Sequence, residues 1–535
     1  MSLFDRFGAP RSRLAPILAL PFLVAVSTGC SSAAGDAEGL GDGAGTSGAD
    51  GGDAGITGAG GDDGPAGTTG ADPSGGDTGG AAEGDDGLPP EEEPPPMEEP
   101  PPDECNDVDD VVLYLSPDDS NSMSSPVQVR EAVLDGFSSL TAVPIRTWEF
   151  LNYYGFDYPA APGGEVLVTP SLAAGSADGE YTLQIAVTSE AVAVADRRPM
   201  NVTLVLDTSG SMAGHSMDML RASSLAIAGS LKAGDTISMV TWSTSNATIL
   251  GGYQVDGPSD PMVVAEINAL EAGGGTDLNG GLTAGYALAN QVFDNDRINR
   301  IVLISDGGAN AGVTDIELIA NNAGGNDADG IYMVGVGVGT AASYQDELMD
   351  AVTDAGKGAS VFVNDASEAA RIFGDDFIST MDVAVRDVQV QLDMPPGFEV
   401  VKFSGEEIST DPTEVEPQHL APNDSMVFHQ TIATCAPELG GPDAEFTVTV
   451  RYRDGVTFEQ RETQLTQTFG SLLDGDNTQL LKGAAIFEYA ESLKAFRESG
   501  EPMDLDPAFA ALDAADAALP GDADLAEIRS VLLAL

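Results

Sequence analysis

Five oxygen-bearing side chains stand where apolar runs give way to loops. The run Val202–Asp207 passes directly into Asp207-Thr208-Ser209-Gly210-Ser211, a D-x-S-x-S sequence whose alternate residues can aim three oxygens at one centre. The loop EAGGGTDLNGG presents Thr276 ahead of a helical stretch, and the run RIVLIS ends at Asp306-Gly307. The hydroxyls of Ser209, Ser211 and Thr276 with the carboxylates of Asp207 and Asp306 make an all-oxygen set, suited to Mg²⁺, Mn²⁺ or Ca²⁺ rather than Zn²⁺. Only two formal negative charges face the ion, so it keeps affinity for a further oxygen. Gly273, Gly274 and Gly275, and Gly307 with Gly308, either let the loops approach such an ion or serve as ordinary turn residues. His215 has no second His or Cys at ligand spacing and reads as an exposed loop residue.

The elements that must hold these residues follow from periodicity. Between Asn201 and Met381 the apolar runs VTLVLD, TISMVTW, RIVLISD and IYMVGVGV alternate with helical stretches such as MDMLRASSLAIAGSLK and LNGGLTAGYALANQVF. Continuous apolar strands between amphipathic helices predict a parallel sheet covered on both faces. Ligands in such folds bind outside the carboxyl ends of the strands. Those are the ends that carry the five oxygens.

The three pieces, in this order and on these elements, resemble the metal-ion-dependent adhesion site of the von Willebrand factor type A domain. The segments NYYGFDYP, NRIVLISDGGANAGVTD and LLKGAAIFEYAESLK extend the likeness to bacterial lipoproteins that embed an A domain between an N-terminal motif and a C-terminal β/helical region. The resemblance covers most of residues 111–535. It implies a doubly wound α/β domain in which Ser209, Ser211 and Thr276 coordinate a divalent cation, Mg²⁺ foremost, directly. Asp207 and Asp306 then act directly or through water. A Glu or Asp of a partner protein is implied as the remaining ligand.

The flanks complete the predicted order. Residues 109–198 form an N-terminal flank, with VREAVLDGFSSL helical through Val129, Val133, Phe137 and Leu140, RTWEFLNYYGFDYP an aromatic helix, and EVLVTPSL and EYTLQIAVT strands. Trp148, Phe150, Tyr153 and Tyr154 are expected to pack in a core. The A domain spans 199–383. Alternating runs over 384–468 predict an antiparallel β-sandwich-like module, which pairs with strands from 165–188 if the A domain is an insertion. Residues 469–535 read as helical, with Asp506-Pro507 as cap and first-turn pair.

Upstream, Arg6, Arg11 and Arg13 precede the apolar run Leu14–Val26, too short to span a bilayer. It ends at Ser27-Thr28-Gly29-Cys30, which resembles a lipobox, so residues 1–30 are expected to be a lipoprotein signal with Cys30 as the lipidation site; an ordinary secretory signal cut nearby is the alternative. No Lys or Arg occurs between Arg13 and Arg130, and the Gly/Asp-rich then Pro/Glu-rich composition of 31–108 predicts a disordered acidic stalk. Export to an oxidising compartment favours a Cys105–Cys435 disulfide over two free thiols.

The chain has 535 residues, with 86 Asp+Glu against 22 Lys+Arg and a net charge of −64. Residues 31–110 hold 22 of the acids, and residues 111–535 hold 63 acids against 19 bases. That excess argues against nucleic acid and against an anionic membrane surface, leaving a lipid as the one membrane attachment. No G-x-S-x-G elbow or phosphate loop accompanies the serines, and the three histidines show no usable motif. The expectation is a non-enzymatic protein, lipid-anchored to the cell envelope at the outer membrane or cell surface. It binds a protein ligand through its metal; self-assembly into an envelope scaffold is the alternative, and a metal-dependent hydrolase a more distant one.

Overall fold

The computed structural model describes Cys105 and residues 108–117, 122–136, 138–307, 319, 321–323, 330–499 and 503–535. The signal, Cys30, nearly all of the stalk, Phe137 and Gly308 lie outside the described residues. Among the described residues, no helix is long and apolar enough to cross a membrane.

A six-stranded sheet forms the centre, in the order β6-β5-β4-β7-β8-β9. Its strands are β4 (Met200–Asp207), β5 (Thr236–Trp242), β6 (Asn246–Gln254), β7 (Ile298–Ser305), β8 (Tyr332–Val338) and β9 (Ser360–Val363). All neighbours are parallel except β5 and β6. Alternation on β4 sends Val202, Leu204 and Leu206 to one face and Val205 to the other. The first face is covered by α3 (His215–Ser230) and α4 (Pro261–Asn268), the second by α5 (Leu278–Val292) and the helix Asp346–Ala355. Gly285 permits one of these close approaches, since a Cβ there would lie 2.4 Å from Val205 Cγ2. The expected doubly wound α/β architecture is present, with an antiparallel edge strand added.

Two antiparallel sheets build the second layer. One runs β12-β1-β10-β15-β16, with β13 beside β10, and the other runs β11-β14-β3-β2. The chain alternates between them. The flank supplies β1 (Val111–Ser116), β2 (Leu167–Ala174) and β3 (Glu180–Thr188). After the central sheet come β10 (Val385–Met394), β11 (Phe398–Phe403), β12 (Glu407–Ser409), β13 (Gln418–Leu420), β14 (Ser425–Thr434), β15 (Glu445–Asp454) and β16 (Gln460–Thr468). β3 pairs with β14 over nine residues and β1 pairs with β10, so strands from both sides of the α/β domain close one sandwich. Ile185 and Phe428 from one sheet meet Val390 and Val448 from the other in its core. The α/β domain is thus inserted between β3 and β10.

The flank and the C-terminus meet on the α5 side. α1 (Ser124–Arg130) and α2 (Thr147–Tyr153) pack with the helices Thr478–Ser499, Asp506–Ala518 and Ala523–Ala534, and Phe150 meets Tyr489 edge-on at 5.3 Å. Phe150, Tyr153 and Tyr154 are buried as expected, whereas Trp148 is half-buried. Arg130 ties three of these parts together through Glu368 at 2.5 Å and Glu527 at 3.1 Å. The first predicted helix is shorter than its periodicity suggests: a π-type turn over Glu131–Asp135 ends at Gly136, whose φ of 68° stops it before Leu140. The Asp506 helix begins at Asp506 itself, with Leu505 at the cap position and Asp504 accepting the Asp506 N–H. Cys105 is bonded to Cys435, 330 residues away, with the Cα atoms 5.8 Å apart.

Candidate metal centre

The loop after β4 is shaped by its own side chains. Ser209 N–H donates to Asp207 Oδ1 at 2.8 Å, which curls the chain back and sets Ser209 Oγ 3.0 Å from Ser211 Oγ. Asp207 Oδ2 accepts from Ser305 Oγ–H at 2.7 Å, and Ser305 Oγ accepts Gly307 N–H at 3.0 Å. The ends of β4 and β7 are thereby locked together, with Asp306 between Ser305 and Gly307. Asp207 and Ser209 are fully buried and Asp306 nearly so, whereas Ser211 is exposed. The Thr276 loop is tied to the same place by backbone: Gly210 N–H donates to Gly274 O at 3.2 Å and Gly273 N–H to Thr208 O at 2.8 Å. Half-buried Thr276 follows two residues after Gly274. All three pieces therefore gather at the carboxyl ends of β4 and β7.

The donor set fits a hard divalent cation. Both Asp207 oxygens accept hydrogen bonds, Oδ1 from Ser209 N–H and Oδ2 from Ser305 Oγ–H, and an ionised carboxylate has lone pairs beyond these. Burial pushes the Asp207 carboxyl up to about 6, with the neighbouring Asp306 charge adding to the rise against the Ser305 and Ser209 hydrogen bonds. A divalent cation beside it would favour the carboxylate form. Among the described residues no three His, Cys, Asp or Glu side chains cluster at metal-binding range, so an ion here must rest on hydroxyls as well as carboxylates. That favours Mg²⁺ or its relatives over Zn²⁺.

Residues outside the motif also hold the site. Ser305 was hidden in an apolar run, although a hydroxyl just before Asp306 is a usable signal. Thr244 Oγ1 accepts Gly275 N–H at 2.6 Å and Ser243 O accepts Asp277 N–H at 2.8 Å, so the loop after β5 braces the Thr276 loop. His215 is exposed at the start of α3, and its Nε2 lies 2.9 Å from Asn364 O. His419 and His429 are buried around the sandwich; among the described residues no histidine hydrogen-bonds Ser209 or Ser211.

Residues 202–309 match the family model described as von Willebrand factor type A domain. The stretch contains all five candidate ligands. Over 199 residues the chain is 27% identical to the uncharacterized protein YfbK of Escherichia coli strain K12, covering 37% of this chain and 34% of that one. Over 231 residues it is 25% identical to the uncharacterized protein sll0103 of Synechocystis, covering 43% and 53% respectively. The chain thus spans between a third and about half of these relatives' own length. A solved structure, von Willebrand factor type A from Catenulispora acidiphila, aligns with 71% of this chain and 91% of its own at 17% identity and a TM-score of 0.43. From the family match and the central sheet, the chain carries a von Willebrand factor type A domain, set within a β-sandwich and closed by C-terminal helices.

Proposed function

We propose that this protein is a lipid-anchored component of the bacterial cell envelope that binds a protein partner through a divalent cation held by Asp207, Ser209, Ser211, Thr276 and Asp306. One observation carries the reading: the Asp207 carboxylate, fixed by Ser209 and Ser305, sits beside the paired Ser209 and Ser211 hydroxyls at the carboxyl end of the sheet. The ion, Mg²⁺ foremost with Mn²⁺ and Ca²⁺ as alternatives, completes its shell with a carboxylate oxygen from the partner. The exposed Ser211 marks the side from which that oxygen arrives. The protein is not an enzyme in this reading: among the described residues no histidine hydrogen-bonds Ser209 or Ser211, and His429 is buried in the sandwich against Gln184. Cys30 provides the anchor, at the outer membrane or cell surface.

Mn²⁺ titration of wild type and Asp207→Ala tests the first half; equal uptake by both refutes the metal centre. Capture from envelope extract with and without EDTA tests the second. Wild type is expected to retain a distinct protein only with metal present, and Asp306→Ala to retain none.

A further inference from the structure

Beside the metal loops runs a segment that belongs to the same domain but is gripped from outside it. Residues 339–345 join β8 to the helix Asp346–Ala355 and press against the Asp306 loop. A Cβ on Gly307 would lie 2.8 Å from Gln345 N, and one on Gly339 would lie 4.0 Å from Asp306 Cβ. The N-terminal flank holds this segment at both ends. Glu131 Oε2 accepts Ala341 N–H at 2.8 Å, Ser138 Oγ accepts Ala342 N–H at 2.9 Å, and Ser138 donates to Glu131 at 3.2 Å. At the far end Arg146 binds Asp346 at 2.7 Å and Asp350 at 3.2 Å. Glu131 is 1% exposed, and it accepts hydrogen bonds from an N–H and a hydroxyl. A carboxylate placed so deep is costly as mere packing, and an apolar side chain would fill the space at less cost.

We infer that Glu131, with Ser138, is a positioning residue for the metal centre: from outside the A domain it fixes the 339–345 segment, which in turn fixes Asp306 and Gly307. The inference rests on the metal-centre reading and deepens it. Groups that orient ligands without touching the ion commonly change metal affinity about 10- to 100-fold when removed. The A domain alone, without its flank, would then bind metal more weakly.

The experiment is calorimetric Mn²⁺ titration of the full chain as wild type, Glu131→Ala, Glu131→Gln, Ser138→Ala and Asp207→Ala, with hydrogen exchange read at residues 339–345. Glu131→Ala is expected to weaken Mn²⁺ about 10-fold and to speed exchange at Ala341. Glu131→Gln should restore both, because its amide oxygen still accepts the Ala341 N–H. Ser138→Ala, at a half-buried turn, provides a milder variant with a measurable loss smaller than that of Glu131→Ala, should Glu131→Ala fail to fold. Wild-type Mn²⁺ affinity in folded Glu131→Ala, or in Ser138→Ala if that is the variant that folds, overturns the inference. Equal uptake by wild type and Asp207→Ala refutes the metal centre itself and the inference with it.

Discussion

In the proposed metal centre Asp207 is a buried carboxylate whose burial costs the metal-free fold, and the size of that cost can be worked out. Its carboxyl protonates at about 6 in the folded chain against 3.8 for a free aspartate. At 1.36 kcal/mol per pH unit this difference amounts to about 3 kcal/mol. Below pH 3.8 both folded and unfolded chains hold the proton and the group is neutral to stability. As pH rises from 3.8 to 6 the unfolded chain ionises first, so stability falls, and above 6 the full penalty is present. A divalent ion favours the carboxylate and reverses the sign. Asp207→Asn keeps the shape, can still accept from Ser209 N–H, and can turn its amide towards Ser305. In EDTA at pH 8 it should therefore be more stable than wild type by about 1–3 kcal/mol, measured by urea denaturation, and the gain should vanish near pH 4. With saturating Mg²⁺ the order should invert, since only wild type gains from the ion. Wild-type affinity should also drop about tenfold per pH unit below 6, because the ion must displace one proton. An Asp207→Asn variant that is less stable than wild type in EDTA at pH 8 would refute the reasoning.

Three other perturbations follow from the geometry. Gly307→Ala forces a side chain into φ 76° and against Gln345, so it should cost about 1–2 kcal/mol in thermal denaturation and weaken Mn²⁺ binding with it. Asp235→Ala removes the carboxylate that holds buried Arg197 at 2.5 Å and the Met200 N–H at 2.8 Å, and stranding that guanidinium should cost about 3–5 kcal/mol without changing metal stoichiometry. Residues 111–535 carry 63 acids against 19 bases, so an acidic partner approaches against net repulsion; raising NaCl from low to physiological concentration should tighten the EDTA-sensitive capture, whereas weakening would point to a basic patch as the docking surface.

The parts visible in the sequence are those whose information is local. β4, β5, β7 and β8 are buried on both faces and read as continuous apolar runs, and the D-x-S-x-S turn carries its ligands within five residues. β6 was not legible because it is an exposed edge strand with two glycines, and β9 is only four residues long. β16, QRETQLTQT, is a polar edge strand whose partner supplies its register. The contributions of Ser305 and Glu131 depend on where β7 lies beside β4 and where residue 341 lies beside residue 131. Those are facts of tertiary placement, and periodicity does not contain them.

The disulfide determines how a mechanical load would travel. A pull entering from the N-terminal side at Cys105 crosses covalently to Cys435, immediately after β14, and so bypasses β1 and the flank helices. From β14 it passes in shear through the nine-residue ladder to β3, and from there into the inserted domain. Antiparallel strands loaded along their length share the force over many hydrogen bonds at once, and the loops around Asp207 and Thr276 lie beyond the loaded strands. A tethered partner could therefore strain the sandwich while the Asp207 loop keeps its geometry, and reducing the disulfide would reroute the same force through the helical flank that holds residues 339–345.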